Sequence, residues 1–174
     1  MSARIEVVTG NIAELVVDAI VSAADPELQS GDGVSGAIQR AAGPKLLEEC
    51  RSIDGCPPGE ARMTGGYELP ARWVIHAVGP LWRGGQSGEP GLLAAAYTDA
   101  LRLAQRNEFA AVAFPSIATG ALGFPLEAAA PIAVRSIATW LVTSDWPRRV
   151  TLCCPRASTA DRYRALLARL GRNG

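Results

Sequence analysis

Three glycines with chemical potential come first: Gly31-x-Gly33-x-x-Gly36, within "SGDGVSG" at 30–36. Glycines at this spacing let a backbone approach a pyrophosphate closely, and a helix starting near Val34 aims its free N–H groups back into the loop. Such a helix end carries roughly half a positive charge. A second stretch, "SIATGALGF" at 116–124, has the same character: it leaves the apolar strand "AAVAFPSI" and enters a helix. Ligands of α/β sheets sit beyond the carboxyl ends of the strands. Two such loops on one rim would grip the phosphates of a diphosphate from both sides. Taken singly, each is equally well an ordinary strand–helix turn.

The dinucleotide-binding fingerprint asks for more than spacing. Its glycines directly follow the first strand, and an acidic residue ends the second strand about twenty positions on. Here "DPELQ" separates the strand "VDAIVSAA" from the glycines, and the acid falls near Asp54, in the turn-like "SIDGCPPG". That reading is set aside, while the phosphate-cradling physics of the loop survives.

The elements that must position these loops follow from periodicity. "EVV" within 4–9, "VDAIVSAA" at 17–24, "RMTGGYEL", "RWVIHAVG", "AAVAFPSI" and "RVTLCC" read as strands. Helical spacing runs from Val34 to Arg51, bent near Gly43-Pro44, then over 92–107, from the second loop to about Val142, and from Thr159 to Leu170 with Ser158 or Thr159 as N-cap. Strands alternating with helices predict one layered α/β domain over residues 1–174, its central strands covered on both faces.

Composition narrows the function. The chain has 174 residues, 48% hydrophobic and 20% charged, with 17 basic against 17 acidic residues and zero formal net charge. The general pull that non-specific nucleic-acid binding relies on is missing, so RNA or DNA is not the expected partner. Cys50, Cys56, Cys153 and Cys154 do not form a secreted disulfide pattern, and the single histidine, His76, leaves no metal-ligand spacing. They are expected to be buried thiols. With no signal peptide in "MSARIEVVTG" and no apolar run long enough to span a bilayer, the expected home is a reducing cytoplasm without membrane contact.

Several motifs in order resemble a known family. "VVTGNIAELVVDAIVSAADPELQSGDGVSGAIQRAAGPKLLEEC", "TGGYELPARWVIHAVGP" and "FPSIATGALGFP" look like a macrodomain, the ADP-ribose-binding module, in its MacroD-type branch. The resemblance covers about Ile5 to Ala130. It implies a three-layer α/β/α sandwich around a mixed sheet, with ADP-ribose, free or protein-linked, in a cleft along the rim, and no cofactor or metal. Gly10-Asn11-Ile12 matches the family's Gly-Asp-Ile, whose aspartate holds the adenine amino group. The amide of Asn11 can still accept an N–H, without charge assistance, or be a simple turn residue. Gly31, Asp32, Gly33, Val34 and Ser35 would embrace the pyrophosphate and distal ribose. Ser116, Ile117, Ala118, Thr119, Gly120, Ala121, Leu122, Gly123 and Phe124 would cover the phosphates from the other side, with Phe124 either against that ribose or in the core. His76 is read as a packed structural histidine. The adenine-side aromatic of relatives falls at Pro155 or Arg156.

The match breaks where the family does chemistry. Hydrolases of this branch carry Asn-Ala-Ala-Asn after the second strand, where this chain has Ser22-Ala23-Ala24-Asp25. Their aspartate after the glycine-valine step and the histidine four residues on are Ser35 and Gln39 here, and Asp32 sits within the usual glycine run. A serine hydroxyl cannot act as general base unaided, and Gln39 exchanges no proton. Asp25 and Asp32 remain as candidate displaced bases, or as acids that contact the ligand or structure the loop. Either would also repel a diphosphate: at ~4 Å and an effective dielectric near 20 the cost is roughly 4 kcal/mol before screening. The residues therefore imply an ADP-ribose binder, with a hydrolase of ADP-ribosyl esters or O-acetyl-ADP-ribose as the alternative, and a different nucleotide as a third.

Overall fold

The computed structural model describes residues 2–29 and 31–173, so Ser30 of the glycine segment lies outside the described residues. Its strands are β1 (Ile5–Thr9), β2 (Ala19–Ala24), β3 (Ala61–Gly65), β4 (Trp73–Val78), β5 (Ala111–Phe114) and β6 (Arg149–Cys154). They form one sheet in the order β1-β6-β5-β2-β4-β3. Every neighbouring pair is parallel except β3 with β4, so five strands point their carboxyl ends to the same edge.

The helices are α1 (Gly33–Ala42), α2 (Pro44–Ser52), α3 (Glu89–Arg106), α4 (Leu126–Thr143) and α5 (Ala157–Arg172). α3, α4 and α5 pack on one face of the sheet, α1 and α2 on the other, which gives the expected three-layer sandwich. The central strands alternate between the two cores. Ala19 and Val21 of β2 face α3 and α4, while Ile20 and Ala24 face α1. Helical spacing does the rest: Ile38 and Ala42 of α1, and Leu46 and Cys50 of α2, lie four residues apart and are fully buried. Pro44 stands at the start of α2, where its missing N–H costs nothing. It therefore divides the predicted helix at the expected place.

Three expectations shift at the edges. α3 begins at Glu89 rather than near Leu92, because Glu89-Pro90 supplies an acid and a proline suited to a first turn. β3 stops at Gly65, where the chain turns back through Gly66 toward β4. α5 begins at Ala157 with Arg156 as N-cap, not Ser158 or Thr159, since the chain leaves β6 directly into the helix. All four cysteines are buried with free thiols. Among the described residues no helix is long and apolar enough to cross a membrane, and no cluster of histidine, cysteine and carboxylate groups could hold a metal.

His76 is 2% exposed on the α1–α2 face of β4. Its Nε2 lies 2.8 Å from the Thr64 hydroxyl and 3.8 Å from the Cys50 thiol. Burial pushes its pKa down to about 4, against a weak opposing pull from Glu49. The residue is neutral at physiological pH, as a packed structural histidine should be. In the unfolded chain it titrates near its ordinary value, so between about pH 6.5 and 4 the unfolded state binds a proton that the folded state refuses. Stability therefore falls as pH drops through that window, by about 1–2 kcal/mol between pH 6.5 and 5. Urea unfolding across this range should show that slope in the native chain and its disappearance in His76→Gln.

Candidate functional site

A cleft of about 500 Å³ opens along the sheet edge where the parallel strands end. Each wall comes from a different strand terminus. Gly10, Asn11 and Ile12 follow β1, Pro115 follows β5, and Cys153 and Pro155 mark the end of β6. Gly33, Val34 and Ala37 of α1, which follows β2, close the remaining side. No residue in this lining is charged. An anion entering here would meet the start of α1, where the backbone N–H groups of the first turn, Gly33 and Val34 among them, point toward the cleft end of the helix.

The glycine loop is held shut by close approach. A Cβ at Gly36 would overlap the Gly31 carbonyl, so only glycine lets the loop fold back over the first turn of α1. The Gly36 N–H closes that turn onto the Asp32 carbonyl at 2.9 Å, and Arg40 reaches the Gly31 carbonyl at 3.4 Å. Asp32 itself is exposed at the N-cap in extended backbone, with no side-chain bond to the helix end.

The second loop, 116–124, is braced from beneath. The buried Tyr97 hydroxyl accepts the Ile117 N–H at 3.1 Å and donates to the Pro115 carbonyl at 3.4 Å. The Tyr163 hydroxyl and the Thr119 hydroxyl both donate to Ser116 Oγ, at 3.0 and 2.9 Å. Ala118 adopts a left-handed φ of 68°, and a Cβ on the facing Gly79 would come within 2.7 Å of its methyl. The Trp82 N–H donates to the Leu122 carbonyl at 2.9 Å, and its ring packs on Phe124 with centroids 4.6 Å apart. The segment carrying Trp82 is itself ordered by the carboxylate of buried Glu89, which accepts the N–H groups of Arg83, Gly85 and Ser87. Burial works against that charge, but these backbone donors outweigh it and hold the Glu89 carboxyl below the usual carboxylate range.

The sequence-predicted residues fall in different places around the cleft. Gly10, Asn11, Ile12, Gly33 and Val34 share the cleft, with Gly31, Asp32 and buried Ser35 in the same loop and first turn. Asp25, half-buried just past β2, accepts the Gln29 N–H at 3.1 Å through Oδ1. Ser22, Ile117, Ala118 and Phe124 have buried side chains, so Phe124 is placed in the core. Thr119 and Leu122 are half-buried, and Gly120, Ala121 and Gly123 lie exposed on the rim. Gln39 does not line the cleft; together with Gly31 and Gly36 of the glycine loop it lines a separate shallow depression beside Arg40, Gly43 and Pro44. Of the two adenine-side candidates, Pro155 lines the cleft while Arg156 caps α5.

Sequence reasoning missed Ala37, Pro115 and Cys153. Ala37 was recoverable, being one helical turn from Gly33, and Cys153 follows from alternation along β6. The two bracing tyrosines carry no local signal, because their partners lie 18 to 47 residues away in the chain.

Comparison with known proteins bears on this geometry. The Macro domain family model matches residues 21–133. The chain is 47% identical to a macro domain-containing protein of Methanosarcina mazei over 96% of its own length and 89% of that protein's. It is 46% identical to a Citrobacter rodentium protein named O-acetyl-ADP-ribose deacetylase, over 98% and 99% of the two chains. It matches a mutant macrodomain of Oceanobacillus iheyensis, solved with ADPR, with a TM-score of 0.93 at 35% identity, covering 97% of this chain and 94% of that one. With the family model spanning well over half of its residues and these relatives nearly all of them, the chain belongs to the Macro domain family.

Proposed function

We propose that this chain is a receptor for ADP-ribose, free or attached to a protein, and that it holds this ligand without turning it over. The observation that carries the reading is the uncharged cleft at the strand ends, whose anion-attracting groups are the backbone amides of α1. The pyrophosphate lies against Gly31, Asp32, Gly33, Val34 and Ser35, and the backbone of Ser116 to Phe124 covers it from the other side. Gly10, Asn11 and Ile12 receive the base, with Ser22 and Asp25 at the end of β2 toward the distal ribose. The solved relative with ADPR supports this placement through its shared fold.

The side chains support the absence of turnover. Hydrolysis at the distal ribose needs a group that can take a proton from water. Ser35 is a hydroxyl, 5% exposed, and Gln39 opens away from the cleft. A second reading, an O-acetyl-ADP-ribose deacetylase, is favoured by the name of the 46% identical relative and by the two carboxylates flanking the loop. Asp25 or Asp32 would then serve as the base.

Calorimetry with ADP-ribose should give saturable heat with a dissociation constant below about 1 mM; no saturation at millimolar ligand overturns the binding reading. Gly36→Ala should weaken that affinity about tenfold or more while circular dichroism stays native, because its methyl displaces the Gly31 carbonyl from the loop. Incubated with O-acetyl-ADP-ribose, the chain should release acetate no faster than buffer. Release that falls in Asp25→Asn or Asp32→Ala would instead establish the deacetylase.

A further inference from the structure

Asn11 is exposed in the cleft lining, next to apolar Ile12 and across from Cys153 and Pro155 at the end of β6. Its Oδ1 accepts the Ala13 N–H at 3.0 Å and caps the short 3₁₀ turn Ile12–Glu14. Only the oxygen of an amide accepts a hydrogen bond, so this contact fixes which way the side chain faces. The other end of the amide is then Nδ2, a two-proton donor, for which the described residues supply no acceptor.

The two ends of the cleft are chemically unlike. Phosphates belong at Gly33 and Val34, where the amides of α1 emerge, and a flat heterocycle belongs among Ile12, Cys153 and Pro155. On the reading given under Proposed function, on which this inference rests, the edge of the purine meets Asn11. A 6-aminopurine brings an N–H₂ to that edge, and a 6-oxopurine brings a carbonyl oxygen. Donor against donor leaves both unsatisfied, whereas donor against carbonyl forms a bond. Sites that hydrogen-bond a ligand group discriminate strongly against analogues lacking the matching partner.

We propose that Asn11 is a specificity-determining residue that makes this cleft prefer a 6-oxopurine nucleoside diphosphoribose over its 6-amino counterpart. An aspartate at this position would cap Ala13 with one oxygen and present the second as an acceptor, which suits the amino group. The asparagine keeps the cap and reverses the outward-facing polarity.

The test is calorimetry of inosine 5′-diphosphoribose against ADP-ribose, on the full chain and on Asn11→Asp. Aspartate is as good a cap as asparagine, and a thermal melt checks that the variant folds. The native chain should bind the inosine ligand at least about tenfold tighter, and Asn11→Asp should invert the order. Equal affinities, or tighter binding of ADP-ribose by the native chain, overturn the preference and leave the cleft reading standing. An inosine preference that survives unchanged in Asn11→Asp removes Asn11 as its cause. Failure of both ligands to bind overturns the inference together with the reading beneath it.

Discussion

A cluster of backbone N–H groups at the carboxyl edge of a parallel sheet, with no cationic side chain in the lining, is the feature on which the site depends. A diphosphate bound there would be neutralised by amide dipoles alone, and dipoles act only at short range and in fixed directions. The backbone therefore has to be held in place before the ligand arrives. That requirement explains why the glycine loop is closed by a contact that tolerates no Cβ at Gly36, and why Gly79 lies so near Ala118.

Bracing of the 116–124 loop uses groups buried in the core. Tyr97 and Tyr163 rise from α3 and α5, buried in the core, and spend their hydroxyls on Pro115, Ser116 and Ile117. Glu89 orders the segment from Arg83 to Ser87, which lets Trp82 hold Leu122 and pack on Phe124. These contacts tie the rim to the packed layer of α3, α4 and α5, so the rigidity of the core passes to the loop. The same logic separates His76 from the chemistry: it lies beneath α2 with Thr64 and Cys50, and its neutral state serves packing.

Much of the fold is legible in the amino-acid sequence. Alternation fixed the strands, and helical spacing together with Gly43-Pro44 fixed the break between α1 and α2. The two loops stood out as a pair, since each alone reads equally well as an ordinary strand–helix turn. The fate of individual side chains was less accessible. Phe124 could be read as ligand-facing or core, and packing in the core, including Trp82 more than forty residues away in the chain, decides its place. Gln39 follows the loop at helical spacing, yet the rotation of α1 turns it to the outer depression with Arg40. The N-cap of α5 was misplaced because serine and threonine are good caps, whereas the exit from β6 sets where the helix starts. Local rules reach about one turn; what lies beyond is decided by packing.

In the proposed complex the α1 amides and the 116–124 loop hold one diphosphate between them. A crystal structure with ADP-ribose at saturating concentration tests it most directly. Phosphate oxygens are expected within hydrogen-bond distance of the Gly33–Ser35 amides on one side and of the second loop's backbone on the other. Density for the nucleotide away from this edge, or phosphates held by side-chain cations elsewhere, would contradict it.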